Sequence, residues 1–132
     1  GLVQLGKLSA NNERRKAITE KYWQLLEGSG LELSFSAYVQ DSGVKPAFHL
    51  LPVLLPQGAD RQKFIDKLRS AGVQTSIHYP PIHWFSYYRR RYPDVKLPKT
   101  ENVAAREVTL PLYPTMDAKM IDLVVEAINH AL

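Results

Sequence analysis

The most apolar stretch of the chain, AFHLLPVLLP over residues 47–56, is interrupted by a proline at position 52. A short apolar run bounded by turn residues predicts a buried strand. Proline has no backbone N–H, so it cannot donate a hydrogen bond to a neighbouring strand in the middle of a sheet. Pro52 therefore predicts that this strand lies at a sheet edge or contains a bulge.

A long helical pattern precedes this strand. Ile18, Tyr22 and Leu25 recur at helical spacing within the first 28 residues, and Gly28 supplies a stop signal. We expect one long helix over residues 1–28, of the kind that connects two domains.

The rest of the chain alternates extended and helical patterns. Extended segments are expected at 73–79 and 108–114, and helices at 60–71, 84–92, 100–107 and 117–131. Thr100 is expected to cap the helix at 100–107. Met120, Leu123, Val124 and Ile128 are the expected buried face of the last helix. Few strands among many helices predict an α+β fold, in which a small antiparallel or mixed sheet is covered by helices.

Composition limits the possible functions. The 132 residues fit a single domain, and the absence of cysteine excludes disulfides, thiolate metal sites and cysteine nucleophiles. No apolar run approaches a membrane span, and a cysteine-free chain suits a reducing compartment, so a cytoplasmic protein without membrane contact is expected. The net charge of +4 permits an anionic partner without requiring nucleic acid.

Polar side chains gather where the second extended segment ends, in GVQTSIHYPPIH over residues 72–83. His78, Tyr79 and His83 are the candidate ligand-binding residues, because rigid strand ends commonly carry ligand contacts and an imidazole can bind carboxylate, phosphate or hydroxyl groups. The alternative is that His78 bonds a backbone carbonyl and Tyr79 packs beneath the loop. The two histidines lack a third ligand at suitable spacing, so no metal site is predicted.

A second candidate is the segment YYRRRY over Tyr87–Tyr92. Alternating aromatic and basic residues can bind single-stranded nucleic acid by stacking and charge. No wider basic stripe accompanies the segment, so the favoured interpretation is a short helix with exposed arginines and with tyrosines on its inner side.

Several segments, taken in order, resemble one enzyme family. GLVQLGKL and NNERRKAITEKYWQLL, then AFHLLPVLLP, GVQTSIHYPPIH, WFSYYRRRY, LPKTE and LPLYP together are similar to the C-terminal small domain of DegT/DnrJ/StrS aminotransferases. These are fold type I enzymes that use pyridoxal phosphate (PLP) to aminate keto sugars carried on nucleotides. Some members carry arginine directly after the threonine of the fourth segment, where this chain has Ser76.

The resemblance implies that the catalytic residues and this chain lie in different domains of one enzyme. The lysine that forms the Schiff base and the aspartate that pairs with the pyridine nitrogen lie in an N-terminal large domain, before Gly1, so no catalytic or cofactor-binding residue is expected in this chain. Alone it is expected to be inactive and without PLP. Intact, it is expected to form a homodimer that uses glutamate or glutamine as amino donor. Residues 29–132 would form the compact small domain, and His78, Tyr79 and His83 would contact substrate.

Three alternatives remain open at this point. The chain could belong to a dehydratase relative of the same fold, because the distinguishing residue would precede Gly1. It could be an independent nucleic-acid-binding module that uses Tyr87–Tyr92. It could also be a structural fragment that dimerises through its first helix, where Leu2, Leu5 and Leu8 form an apolar stripe. The sequence does not identify the sugar or the carbon that is aminated.

Overall fold

The computed structural model of the chain describes residues 1–33 and 43–132. These residues form an α+β fold in which a two-stranded antiparallel sheet is accompanied by helices. In chain order the elements are α1 (Leu2–Leu25), β1 (Leu51–Leu54), α2 (Arg61–Ser70), a 3₁₀ helix (Ile82–Trp84), α3 (Ser86–Arg91), α4 (Pro98–Arg106), β2 (Glu107–Leu110) and α5 (Ala118–Ala131). The predicted fold class is confirmed. In the described ranges, no helix combines the length and the apolar character needed to cross a membrane.

The sheet accommodates Pro52 without losing a hydrogen bond to β2. The backbone N–H and C=O of Leu54 both bond to Glu32, at 3.1 and 2.9 Å, on the side of β1 that faces away from β2. Pro52 lies two residues earlier, so its nitrogen is directed to that same outer side. The predicted edge position therefore holds for the two-stranded sheet, although the strand is shorter than the apolar run. The register pairs Leu51 with Leu110, Pro52 with Thr109, Val53 with Val108 and Leu54 with Glu107.

The hydrophobic core lies between the sheet and three helices. Tyr22 of α1, Leu68 of α2 and Ile128 of α5 are completely buried, together with Val53 and Val108 of the two strands. Burial of large apolar side chains is the main favourable contribution to folding. The core therefore fixes the position of β2, the strand beside which the predicted site residues lie.

The end of α2 sets the direction of the segment that carries the site. The N–H of Val73 bonds to the carbonyl of Leu68 at 2.8 Å, and the N–H of Gly72 bonds to that of Arg69 at 2.9 Å. This is a Schellman motif, which requires the left-handed backbone conformation that Gly72 adopts at a φ of +80°. The buried Val73 then directs the chain toward β2.

Two predicted elements near the site are wrong in their extent. Among the residues that the structure describes, the predicted strand at 73–79 makes one isolated bridge, in which Ser76 and Thr109 exchange backbone hydrogen bonds of 3.2 and 2.8 Å. The predicted helix at 84–92 is divided, because Phe85 is extended with a ψ of 143° between the 3₁₀ helix and α3.

Two helix details are also wrong. Helix α4 begins at Pro98 and has Leu97, not Thr100, as its N-terminal flanking residue, since proline is favoured at the first helical position. In α5, Ile121, Val124 and Ile128 are buried, whereas Met120 and Leu123 are exposed. The predicted face and the buried face of α5 share Val124 and Ile128, so helical spacing alone does not decide which of the two packs on the core.

Candidate functional site

His78 lies beside the start of β2 and is held there by three polar contacts. Its backbone N–H donates to the Oε2 atom of Glu107 at 2.9 Å. Its ring Nδ1 atom lies 2.9 Å from the hydroxyl oxygen of Thr109 and 3.5 Å from that of Ser76. The residue is only partly buried, so a ligand can reach it.

Glu107 and Thr109 form the buried base of this arrangement. Their residues are only 5% and 4% exposed, and the Thr109 hydroxyl donates to the Oε1 atom of Glu107 at 2.5 Å. Within the described residues, no lysine, arginine or histidine forms an ion pair with this carboxylate; Arg61 instead reaches the backbone carbonyl of Glu107. A buried carboxylate is costly unless it accepts hydrogen bonds. The N–H of His78 and the hydroxyl of Thr109 supply them.

Tyr79 extends the site toward solvent. Its ring meets that of His78 edge to face, with 4.9 Å between the ring centroids, and the residue is 73% exposed. The alternative that Tyr79 packs beneath the loop is therefore wrong. An exposed phenol next to an accessible imidazole offers both an apolar surface and a hydrogen-bonding hydroxyl to a ligand.

His83 occupies a different environment from the other two predicted residues. Its Nε2 atom lies 2.9 Å from the Oε1 atom of Glu101, and its side chain is only 12% exposed. Glu101 Oε1 also accepts the backbone N–H of Leu97 at 3.0 Å, and this bond, followed by that to His83, lowers the pKa of the carboxyl. Across the described ranges, no hydrogen bond or ring contact joins His83 to His78 or Tyr79.

Sequence reasoning missed Glu107 and Thr109 as parts of the site. A signal for them exists, because residues two apart in a strand point to the same face. In EVTL, the polar Glu107 and Thr109 share one face of β2 while Val108 and Leu110 share the other. A carboxylate and a hydroxyl on one face of an otherwise apolar strand indicate a buried polar contact.

The lysines of the chain do not fit the role of a Schiff-base residue. Such a lysine needs a desolvated pocket that lowers the pKa of its amine. All nine lysines are exposed: Lys7, Lys16, Lys21, Lys45, Lys63, Lys67, Lys96, Lys99 and Lys119. These lysines therefore lack the desolvated surroundings that a Schiff-base lysine needs. In the described parts of the chain, no group of three or more His, Asp or Glu residues is arranged to hold a metal ion.

The aromatic side chains of Tyr87–Tyr92 are more exposed than predicted. Tyr87, Tyr88 and Tyr92 are all exposed, so the expectation that they line the inner side of a helix is wrong. No residue of α3 is buried. The tyrosines of the segment contact each other and Arg91: the Tyr87 and Tyr88 ring centroids are 5.2 Å apart, and the Arg91 guanidinium lies 5.7 Å from the Tyr92 ring centroid.

Solved structures share this fold over nearly the whole chain. Helicobacter pylori PseC, an aminotransferase involved in the biosynthesis of pseudoaminic acid, superposes with a TM-score of 0.89 at 20% identity, over 99% of this chain and 35% of its own. Streptococcus pneumoniae Spr1654 in its PLP form gives 0.85 at 25% identity, over 99% and 33%. DesV from S. venezuelae, in complex with a ketimine intermediate, gives 0.80 at 26% identity, over 97% of this chain and 33% of its own.

The chain thus spans about a third of the length of the structures that it matches. At these identities the superpositions establish the fold, and the family is established by sequence. The sequence profile of one family matches residues 1–129, and this match shows that the chain belongs to the DegT/DnrJ/EryC1/StrS aminotransferase family.

Proposed function

We propose that this chain is the C-terminal part of a PLP-dependent aminotransferase that acts on a nucleotide-linked keto sugar, with glutamate or glutamine as amino donor. The family match over residues 1–129 is the observation that carries the proposal. The PLP form of Spr1654 and the ketimine complex of DesV support the cofactor and the reaction class. Their chains are about three times longer, which leaves room for a large domain that supplies the Schiff-base lysine.

The chain's own part in this function is to border the active site. His78 and Tyr79 form an accessible imidazole and phenol on a segment whose backbone is fixed to β2 by the Ser76 bridge. Rigid support of this kind is what a substrate-orienting group requires. His83 would contribute indirectly, because its bond to Glu101 ties the segment after the double proline to α4.

The test uses the full-length enzyme in which this chain follows the large domain. Glutamate should convert the bound PLP to its amino form, as seen by the loss of the PLP absorbance, and a nucleoside-diphosphate-linked keto sugar should restore it. Release of water from the sugar without amination would favour the dehydratase alternative. If residues 1–132 alone bound PLP covalently in a 1:1 ratio, the assignment of the reactive lysine to another domain would be wrong.

The exposed tyrosines of Tyr87–Tyr92 favour one second candidate, binding of single-stranded nucleic acid. Exposed aromatic rings beside three arginines are suited to stacking on bases and to phosphate contact. Such binding weakens steeply as salt rises. Fluorescence anisotropy with a labelled oligonucleotide at two salt concentrations tests it, with Arg89→Ala and Arg90→Ala as the weakened variants. Binding that is absent at low salt would exclude this function.

A further inference from the structure

We infer that Glu107 and Thr109 are positioning residues that hold His78 in a single tautomer, so that its Nε2 atom accepts a hydrogen bond from a hydroxyl group of the sugar. The inference deepens the proposed function and rests on it for the identity of the ligand. The tautomer itself follows from contacts within this chain. It concerns side chains of β2 that lie behind His78 and do not face the ligand themselves.

The direction of each proton in the network follows from donor and acceptor chemistry. An ionised carboxylate can only accept hydrogen bonds, so the bond between Thr109 and Glu107 must use the single hydroxyl proton of Thr109. The Thr109 oxygen then faces the Nδ1 atom of His78, 2.9 Å away, without a proton of its own to donate. The Nδ1 atom must therefore carry the proton in this contact.

This arrangement determines whether Nε2, the other ring nitrogen of His78, is a hydrogen-bond donor or acceptor. A neutral imidazole carries one N–H, so protonation at Nδ1 leaves a lone pair on Nε2. Within the described ranges, Nε2 takes part in no hydrogen bond, whereas both Nδ1 and the backbone N–H of His78 are engaged. The accessible atom of the site is thus an acceptor.

The Nε2 acceptor can form a hydrogen bond only with those groups of the proposed substrates that donate one. A sugar hydroxyl can donate to the Nε2 lone pair, whereas the carboxylates of the amino donor and the diphosphate of the nucleotide present only acceptor oxygens to it. Placing two acceptors in contact leaves both unpaired, which is more costly than losing one hydrogen bond. Nε2 of His78 is therefore suited to a hydroxyl group of the sugar rather than to the carboxylates of the amino donor or to the diphosphate.

The tautomer can be measured directly on residues 1–132 by nitrogen-15 NMR of the imidazole ring, with the ring neutral at mildly alkaline pH. The His78 signal is identified by its loss in His78→Gln. We expect the Nδ1–H form in the wild type and in Thr109→Ser, which keeps the hydroxyl. The proposal is overturned if the wild-type ring carries its proton on Nε2.

Glu107→Gln provides the sharpest variant. The glutamine can still accept the His78 backbone N–H through its oxygen, but its amide would donate to Thr109 and turn the threonine proton toward Nδ1. The His78 ring should then shift to the Nε2–H form. Glu126→Gln, the same change on the exposed face of α5, should leave it unchanged. An unchanged tautomer in folded Glu107→Gln would show that the buried pair does not set it.

The ligand class is tested on the two half-reactions of the full-length enzyme. Glu107→Gln should raise the KM for the accepted keto sugar several-fold and leave the KM for glutamate unchanged. Equal effects on both, or an effect on glutamate alone, would overturn the assignment to the sugar. An enzyme without aminotransferase activity would remove the proposed function and the sugar assignment with it, while the NMR result would still decide whether Glu107 and Thr109 orient His78.

Discussion

The Nε2 atom of His83 lies 2.9 Å from the Oε1 atom of Glu101, and this contact joins the segment after the double proline to the first turn of α4. Glu101 also accepts the backbone N–H of Leu97, the residue that flanks the start of α4. One carboxylate oxygen thus serves both a helix start and a histidine. A direct contact between His83 and substrate remains a prediction.

Glu101→Gln should destabilise the chain at neutral pH and have less effect in acid. Hydrogen bonds from Leu97 and His83 lower the pKa of Glu101 in the folded protein. A carboxyl of this kind stabilises the fold above its unfolded pKa, which is about 4.3, and that stabilisation disappears as the pH falls through the lower folded value. Urea unfolding between neutral and acidic pH should therefore show the two proteins converging. A difference that is constant with pH, or one shared by Glu126→Gln, would contradict this explanation.

Tyr22→Phe should cost about 1 kcal/mol of unfolding free energy, because it removes the bond from the tyrosine hydroxyl to the Pro111 carbonyl, 3.3 Å long, inside the core. Burial, followed by the neighbouring Tyr113, raises the pKa of Tyr22. The unfolded phenol ionises near pH 10, so the wild-type protein should lose stability as the pH rises above that value.

The phenylalanine variant has no such group to ionise. In urea unfolding at neutral and at alkaline pH, the wild-type advantage over Tyr22→Phe should accordingly shrink as the pH rises above about 10. Tyr87→Phe, which changes an exposed phenol of α3, is the matched control. An advantage that grows with pH would contradict the burial of a neutral Tyr22.

Local signals were sufficient to predict the elements that pack on the core. Asp60 and Asp117 cap α2 and α5 by accepting the N–H groups of Lys63 and Met120, and both helices begin within one residue of the predicted start. The α4 start was missed because Pro98 and Thr100 are both acceptable near a helix start, and only tertiary structure decides between them.

The site was predictable only in part. His78 and Tyr79 were visible as polar residues at the end of an extended segment, since strand ends are common ligand positions. Their partners were not, because the hydrogen bond between His78 and Thr109 joins residues 31 apart in sequence. The role of His83 likewise depends on Glu101, 18 residues away in sequence, and no local sequence pattern predicts a contact over that separation.

Ile128→Ala should lower the unfolding free energy by about 2–5 kcal/mol, because Ile128 is completely buried and its truncation leaves a cavity. Leu123→Ala should change it by no more than about 0.5 kcal/mol, because Leu123 is exposed on the same helix. Urea denaturation of the two variants compares them directly. Equal losses would mean that the α5 face predicted from sequence, and not the one in the structure, packs on the core.

Residues 1–10 should cause self-association of the isolated chain. Leu2, Leu5 and Leu8 are exposed along one side of α1, and contiguous exposed apolar side chains commonly mark an interface. Sedimentation should show larger species for the full chain than for a chain lacking these residues. Leu5→Glu should reduce association, whereas Gln4→Glu, an equal charge change one position earlier, should do so less. A chain that stays monomeric at high concentration would argue against an interface on α1.

His78→Ala in the full-length enzyme should raise the KM for the keto sugar or lower turnover by several-fold, because it removes the accessible imidazole next to Tyr79. His130→Ala is the matched control, since His130 is exposed on α5 and its ring bonds only to the Glu126 carbonyl within the described residues. Steady-state kinetics and thermal unfolding of both variants separate a binding effect from a folding defect. Unchanged kinetics in a folded His78→Ala enzyme would exclude His78 from the site. An equal loss of activity in His130→Ala would show that the effect does not come from contact between His78 and the sugar.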